Sequence, residues 1–178
     1  LQPGDTIVEA TSGNTGIALS MVAASMGLPC LIFMPGNMSE ERKQMMRTYG
    51  AKIIEAPDDD FVGAIAMRDQ YLKANENAWS PMQFSNQDNI YCHQYQTAPE
   101  IHKQVIERKY LWSAFIHGAG TGGTMEGIRR YRDIQNLRTK LCLVQPAESP
   151  HGIQGIADGK DFLFNSENAE TFFIHPVE

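Results

Sequence analysis

The chain has 178 residues, 42% of them hydrophobic and 20% charged, which is the composition of a globular protein and the length of one ordinary domain or parts of two. No window approaches the roughly 18 uncharged apolar residues of a membrane span, so no membrane partner is expected. A net charge of −6 without a basic stripe speaks against nucleic acid, while leaving room for a locally positive site.

The start, Leu1-Gln2-Pro3-Gly4-Asp5, carries neither the basic nor the apolar region of a signal peptide. The first residue is leucine and a strand begins almost at once, so an internal piece of a longer protein is expected. Residues 6–10 read as that strand. A helix follows over 15–26, punctuated by Gly27. Residues 30–34 form a continuous apolar run, short enough for a buried parallel strand, and Pro35-Gly36 stops it. Ser39 is a plausible N-cap, with Glu40 and Glu41 where the helix dipole favours acids. That helix is expected to reach about Tyr49, before Gly50. Residues 52–56 are the next strand, and Asp58-Asp59-Asp60 reads as a solvated cap for a helix over 61–75 rather than as a metal site.

Gln83-Phe84 sits at the end of a weak strand, before a polar loop over 85–89. A long helical region, interrupted near Pro99, leads to about Arg108. Then come a strand over 112–117, the loop Gly118-Ala119-Gly120-Thr121-Gly122-Gly123-Thr124, a helix over 124–135 and a strand over 140–145. The segment after about Glu148 is irregular and has no assignment. Cys30, Cys92 and Cys142 read as reduced thiols of a cytoplasmic protein, and no Cys/His spacing fits zinc. Strands alternating with helices imply parallel strands joined by helical crossovers, an α/β fold.

In an open parallel sheet, ligands sit beyond the carboxyl ends of the strands. Two strand-to-helix turns here are rich in small and polar residues: Thr11-Ser12-Gly13-Asn14-Thr15-Gly16, and the loop 118–124. The first N–H groups of a helix lack partners, and the dipole adds about half a positive charge. Glycines let an anion approach that backbone, and threonine hydroxyls add donors. An ordinary tight turn, or N-capping by Ser12 or Asn14, uses the same residues. The loop lacks the Gly-Lys-Ser/Thr ending of a nucleoside-triphosphate loop. Gly118, Gly120 and Gly123 do match G-x-G-x-x-G, with Glu148 as the acid of a dinucleotide site. Over 100 residues precede that match, however, and a compact phosphate monoester suits a Gly/Thr cup better. The first turn suits a carboxylate or a polar ring substituent. A phosphorylated cofactor working on an amino acid would use both.

At these residues the chain resembles the cysteine synthases (O-acetylserine sulfhydrylases), pyridoxal-phosphate enzymes of the tryptophan-synthase-β fold type. The resemblance is carried by Glu9 to Leu19, Met34-Pro35, Met38 to Arg42, Gly50-Ala51, Gln83 to Asn86, Pro99-Glu100-Ile101, Gly118 to Thr124 and Gly152 to Ile156. The spacing from Gln145-Pro146 to Gly152 looks more like the B-type enzymes than the A-type. The resemblance implies a three-layer αβα architecture with mostly parallel sheets. It also implies two incompletely represented domains: residues 1–86 from the smaller, mobile one and 87–178 from the larger, cofactor-binding one.

The resemblance also implies roles. Gly120, Thr121, Gly122, Gly123 and Thr124 would hold the phosphate of pyridoxal 5′-phosphate, and Asn14 the ring hydroxyl. Thr11, Ser12, Gly13, Thr15 and Gln83 would hold the carboxylate of a small-molecule amino-acid substrate. The implied reaction is a β-replacement making L-cysteine from O-acetylserine and sulfide. The implied partners are a second copy of the enzyme and the C-terminal tail of a serine acetyltransferase.

The family's Schiff-base lysine lies upstream of the Thr-Ser-Gly-Asn turn, and none of Lys43, Lys52, Lys73, Lys103, Lys109, Lys140 and Lys160 occupies that motif. The family's serine facing the pyridine nitrogen belongs further downstream. The 178 residues alone are therefore expected to be inactive. His117 stands where the family usually has a small residue, and reads as packed or partly solvated. Ala98 replaces a glycine, and Asp158 departs from the small residues of A-type enzymes. Cystathionine β-synthase and O-phosphoserine-using enzymes share the first turn. A catalytically dead protein-binding module and an NAD-binding oxidoreductase are the readings outside that class.

Overall fold

The computed structural model describes residues 1–148, 151, 153, 155–157 and 163–175. These fall into two compact units, Leu1–Met82 and Gln83–Glu178.

The first unit is built on a four-stranded sheet in the order β3-β2-β1-β4, every neighbouring pair parallel. Its elements are β1 (Thr6–Ala10), α1 (Asn14–Met26), β2 (Cys30–Pro35), α2 (Glu40–Thr48), β3 (Lys52–Ala56), α3 (Phe61–Ala74) and β4 (Ala78–Trp79). The run Cys30–Pro35 is buried at every position, as a central parallel strand covered on both faces requires. Ile32 and Met34 join Ile7, Ala23 and Met46 in one cluster, on the side of α1 and α2. Leu31 and Phe33 join Val8, Ala10 and Ala64 in another, on the side of α3. Period-two alternation along one strand thus produces three layers. Gly27 closes α1 in the left-handed region, at φ 66°. Asp60 caps α3, its Oδ1 accepting from Gly63 N–H at 2.7 Å.

The second unit comprises α4 (Gln87–Cys92), a π-helical segment His93–Thr97, α5 (Ala98–Glu107), β5 (Ala114–Gly118), α6 (Gly123–Ile134), β6 (Lys140–Pro146) and β7 (Glu170–Ile174), with a short 3₁₀ turn Ser166–Asn168. Its sheet is β5-β6-β7, again parallel. Ala98, Met125, Ile128, Leu141, Leu143 and Phe164 form its core. On the opposite face Ile116, Phe172 and Ile174 are exposed.

Three expectations need correction. The weak strand does not end at Gln83-Phe84, which lie in a turn; the strand is the pair Ala78–Trp79 beside Thr6 and Ile7. The helix is not broken near Pro99. It widens to a π-helix directly before Pro99, which sits in the first turn of α5, so the N–H that proline lacks is not demanded by a regular α ladder. The segment after Glu148, left without assignment, contains β7, with Cys142 opposite Glu170 and Pro146 opposite Ile174. Gly152, Gln154, Asp158 and Lys160 lie outside the described residues.

Candidate cofactor and substrate site

Each of the two turns leaves the carboxyl end of a parallel strand and enters a helix. In the first unit, β1 runs through Thr11, Ser12 and Gly13 into α1. Thr11 is buried, and its Oγ1 accepts from Gly13 N–H at 3.2 Å. Arg42 of α2 lies across this turn, its Nη1 donating to Ser12 O at 3.4 Å. A Cβ on Gly13 would stand 2.4 Å from Arg42 Cδ, and one on Gly16 would stand 2.8 Å from Thr11 Cγ2 and 2.9 Å from Met46 Sδ. A side chain at Gly13 would have to displace Arg42, and one at Gly16 would crowd Thr11 and Met46. Asn14 is exposed, while Ser12 and Thr15 are half-buried. Neither Ser12 nor Asn14 is the N-cap; Gly13 holds that position and has no side chain to cap with.

In the second unit, β5 ends at Gly118 and the loop passes into α6. Gly122 adopts φ 83°, the left-handed region in which glycine is at ease. A Cβ on Gly120 would meet the carbonyl oxygen of Gly155 at 2.3 Å, and one on Gly123 would meet Asn89 Oδ1 at 2.2 Å. Thr121 O accepts from Leu163 N–H and Ala119 O from Ala157 N–H. The loop is thus pinned from outside by Gly155, Ala157, Leu163 and Phe164. From below it is braced by Asn89, whose Nδ2 donates to Thr121 Oγ1 at 2.9 Å and to Gln83 O at 3.0 Å. Thr121 Oγ1 also accepts from Gly123 N–H. Thr124 Oγ1 lies 3.1 Å from His93 Nε2, and His93 Nδ1 lies 3.0 Å from Thr97 Oγ1. Burial, and then the charge of nearby His117, hold the His93 imidazole below its ordinary pKa.

The loop forms a cup of about 40 Å³, walled by residues 117–122 with Thr124 and Met125, and among the described residues no Asp, Glu, Lys or Arg lines it. That is well above the roughly 10–15 Å³ of such volume that a single water needs. Among the described residues no acceptor meets the N–H groups of Thr121, Gly122 or Thr124. Unpaired donors around a small concavity, at the N-terminus of a helix, fit the phosphate of a cofactor. Deeper in α6, burial pushes the Glu126 carboxyl up. Hydrogen bonds from Arg129 and Arg130 outweigh that and hold it below the ordinary value.

The structure gathers Gly120 to Thr124 in one cup and Thr11 to Thr15 in one turn of the other unit. Gln83 opens the second unit, its carbonyl tied to Asn89. Asn89 and His93 are bracing residues that the sequence did not single out. Asn89 closes a polar run that the sequence presents as a loop over 85–89, whereas α4 already begins at Gln87, and the π-helical turn that aims His93 leaves no periodic signal.

The sequence pattern of the pyridoxal-phosphate-dependent enzymes matches residues 2–170. The chain belongs to that family. It is 34% identical over 181 residues to a cysteine synthase of Staphylococcus aureus, covering 97% of this chain and 57% of that protein. It is 40% identical over 150 residues to cysteine synthase B of Salmonella typhimurium, covering 83% of this chain and 48% of that one. An O-acetylserine-dependent cystathionine β-synthase from Helicobacter pylori superposes with a TM-score of 0.87 at 31% identity, over 98% of this chain and 60% of that structure. The chain spans about half the length of the curated relatives it matches. The family's cofactor is pyridoxal phosphate, and the G-x-G-x-x-G spacing of the loop serves close approach to its own chain at Gly120 and Gly123. No helix among the described residues is long and apolar enough to cross a membrane.

Proposed function

We propose that this chain supplies the phosphate cup and the carboxylate turn of a pyridoxal-phosphate-dependent enzyme that makes L-cysteine from O-acetylserine and sulfide. The observation carrying this is the row of N–H groups at Thr121, Gly122 and Thr124, without an acceptor among the described residues, around a cup that no described Asp, Glu, Lys or Arg lines. A phosphate there is met by backbone donors and the helix dipole, at no cost in side-chain ordering. Thr121 and Thr124 add hydroxyls whose orientation Asn89 and His93 fix. Thr11, Ser12, Gly13 and Thr15, with Gln83, hold the substrate carboxylate, and Asn14 takes the ring hydroxyl. Bound pyridoxal phosphate supplies an electron sink for charge developing at the substrate α-carbon.

Two relatives named cysteine synthase favour sulfide as the incoming nucleophile, and the cystathionine β-synthase neighbour makes a thiol amino acid the second reading. The test expresses the coding sequence from its own start to its own stop and loads it with pyridoxal phosphate. It then supplies O-acetylserine or O-phosphoserine with either sulfide or homocysteine. Cysteine from O-acetylserine and sulfide is the expected product. Preferred use of homocysteine would move the assignment to a cystathionine synthase, and no turnover of any pair would favour a protein-binding role.

A further inference from the structure

His117 is the last side chain of β5 before the loop, and it forms one wall of the phosphate cup. Its ring stacks on Phe115, with centroids 5.6 Å apart, and Phe115 in turn packs edge-on against Trp112. Its Nδ1 contacts the carbonyl oxygen of Gly118. In an imidazolium both ring nitrogens are donors, so Nε2–H can donate while Nδ1 stays at that carbonyl. Among the described residues Nε2 has no partner, and the ring is exposed. The histidine is held by a stack and a backbone contact, then, rather than buried.

The charged and titratable groups packed around it are few. His93 faces it from the π-helical segment and is depressed by burial and by His117 itself. Glu126, in the first turn of α6, is buried and committed to Arg129 and Arg130. Among the described residues the cup wall carries no other ionisable side chain. Among the described residues, His117 is therefore the side chain lining the cup that can place a positive charge beside a bound phosphate.

We infer that His117 is a pH-gated ligand of the phosphate held by residues 118–124, its imidazolium Nε2–H donating to a phosphate oxygen that the backbone donors leave open. The inference rests on the reading of that loop as a phosphate cradle. A backbone cup has a fixed donor strength, whereas a histidine adds a full charge only in its imidazolium form. Phosphate binding then takes up a proton at His117, and the cup releases its ligand more readily as pH rises.

The experiment measures binding of pyridoxine 5′-phosphate by the full chain, using equilibrium dialysis. This probe lacks the aldehyde and cannot form imines with surface lysines. In the same samples the histidine ring signals are followed by nuclear magnetic resonance, which separates His117 from His93. Wild-type affinity is expected to fall about tenfold between pH 6 and 8.5, while that of His117→Asn falls clearly less. The His117 ring is expected to gain a proton when the probe is added near pH 7. Binding with the same pH profile in wild type and His117→Asn, or an unmoved His117 ring signal, overturns the role of His117 and leaves the cradle standing. No binding by the wild type at either pH overturns the cradle and the inference together.

Discussion

Glu9 and Arg68 form an ion pair in which neither side chain reaches solvent: Nη1 lies 2.7 Å from Oε1, with side-chain exposures of 5% and 0%. Glu9 sits on β1 two residues before Thr11, and the same Oε1 accepts from Ala10 N–H at 2.8 Å. A charge in the middle of an otherwise apolar strand thus ties α3 to the strand end from which the carboxylate turn departs.

A buried pair is worth little against an apolar pair of equal volume, but half of one is costly. Arg68→Met is expected to destabilise the first unit by about 3–5 kcal/mol, the range for an uncompensated buried charge. Adding Glu9→Gln to Arg68→Met should recover part of that. The check is denaturant unfolding in a Trp112→Phe background, where the fluorescence of Trp79 reports the first unit. Equal losses in the single and double variants would show that the pair's charges do not matter.

Gly127 lies one turn beyond Gly123 on α6, at the crossing with α4 and the π-helical segment. A Cβ there would meet His93 Cβ at 2.6 Å and two backbone atoms, Gln94 N and Ile90 O, at 2.8 Å. Helix propensity favours Gly127→Ala by about 1 kcal/mol. Overpacking against backbone that cannot rotate away costs about 1–3 kcal/mol, so a net loss of stability is expected. It should appear as a lower urea midpoint, with His93 ring signals displaced. A stabilised Gly127→Ala protein would mean that the helices can separate freely.

Much of the fold could be read from the residues, for reasons that differ by element. Cys30–Pro35 is uniformly apolar because both its faces are covered, and Gly27 ends α1 because a left-handed residue is needed there. β7 escaped because Glu-Thr-Phe-Phe-Ile has neither clean alternation nor a continuous apolar run, and its partner strand ends 24 residues earlier. The two anion-ready turns stood out through their glycines, yet Gly13, Gly16, Gly120 and Gly123 are all constrained by neighbouring protein atoms. Those neighbours, Arg42, Met46, Gly155 and Asn89, are distant in sequence, and no local pattern announces them.

Stability should depend on pH through His93. Burial, with the charge of His117, lowers its pKa from the ordinary 6.5. The unfolded chain then binds the proton more tightly than the folded one. Stability is full above about 6.5 and declines as pH falls from there through the folded value. Glu126 acts in a lower window: its carboxyl is held below the ordinary 4.5, so its contribution is lost only as pH falls beneath that. Between pH 7.5 and 5.5 the wild type should lose more stability than His93→Gln, as read from urea midpoints. Parallel losses would mean that His93 protonates equally well in the folded protein.

Asn89 touches the cup only through Thr121 and Gly123, so it separates bracing from ligation. Its Nδ2 fixes the Thr121 hydroxyl and the carbonyl of Gln83 at once, and its Oδ1 occupies the space that a side chain on Gly123 would need. Asn89→Ala removes no donor from the cup wall, but it frees the loop and leaves Gln83 O without this donor. A lost hydrogen bond of this kind costs about 0.5–1.5 kcal/mol. Two lost together, at most about 1–3 kcal/mol, are expected to weaken pyridoxine 5′-phosphate binding by about fivefold to 150-fold, with the same slope against pH as the wild type. Thr121→Val should weaken binding too, because it removes both the brace's acceptor and a hydroxyl of the cup. If Asn89→Ala bound the probe as tightly as the wild type while Thr121→Val did not, the hydroxyl would act as a ligand without needing its brace, and the role given to α4 would fall.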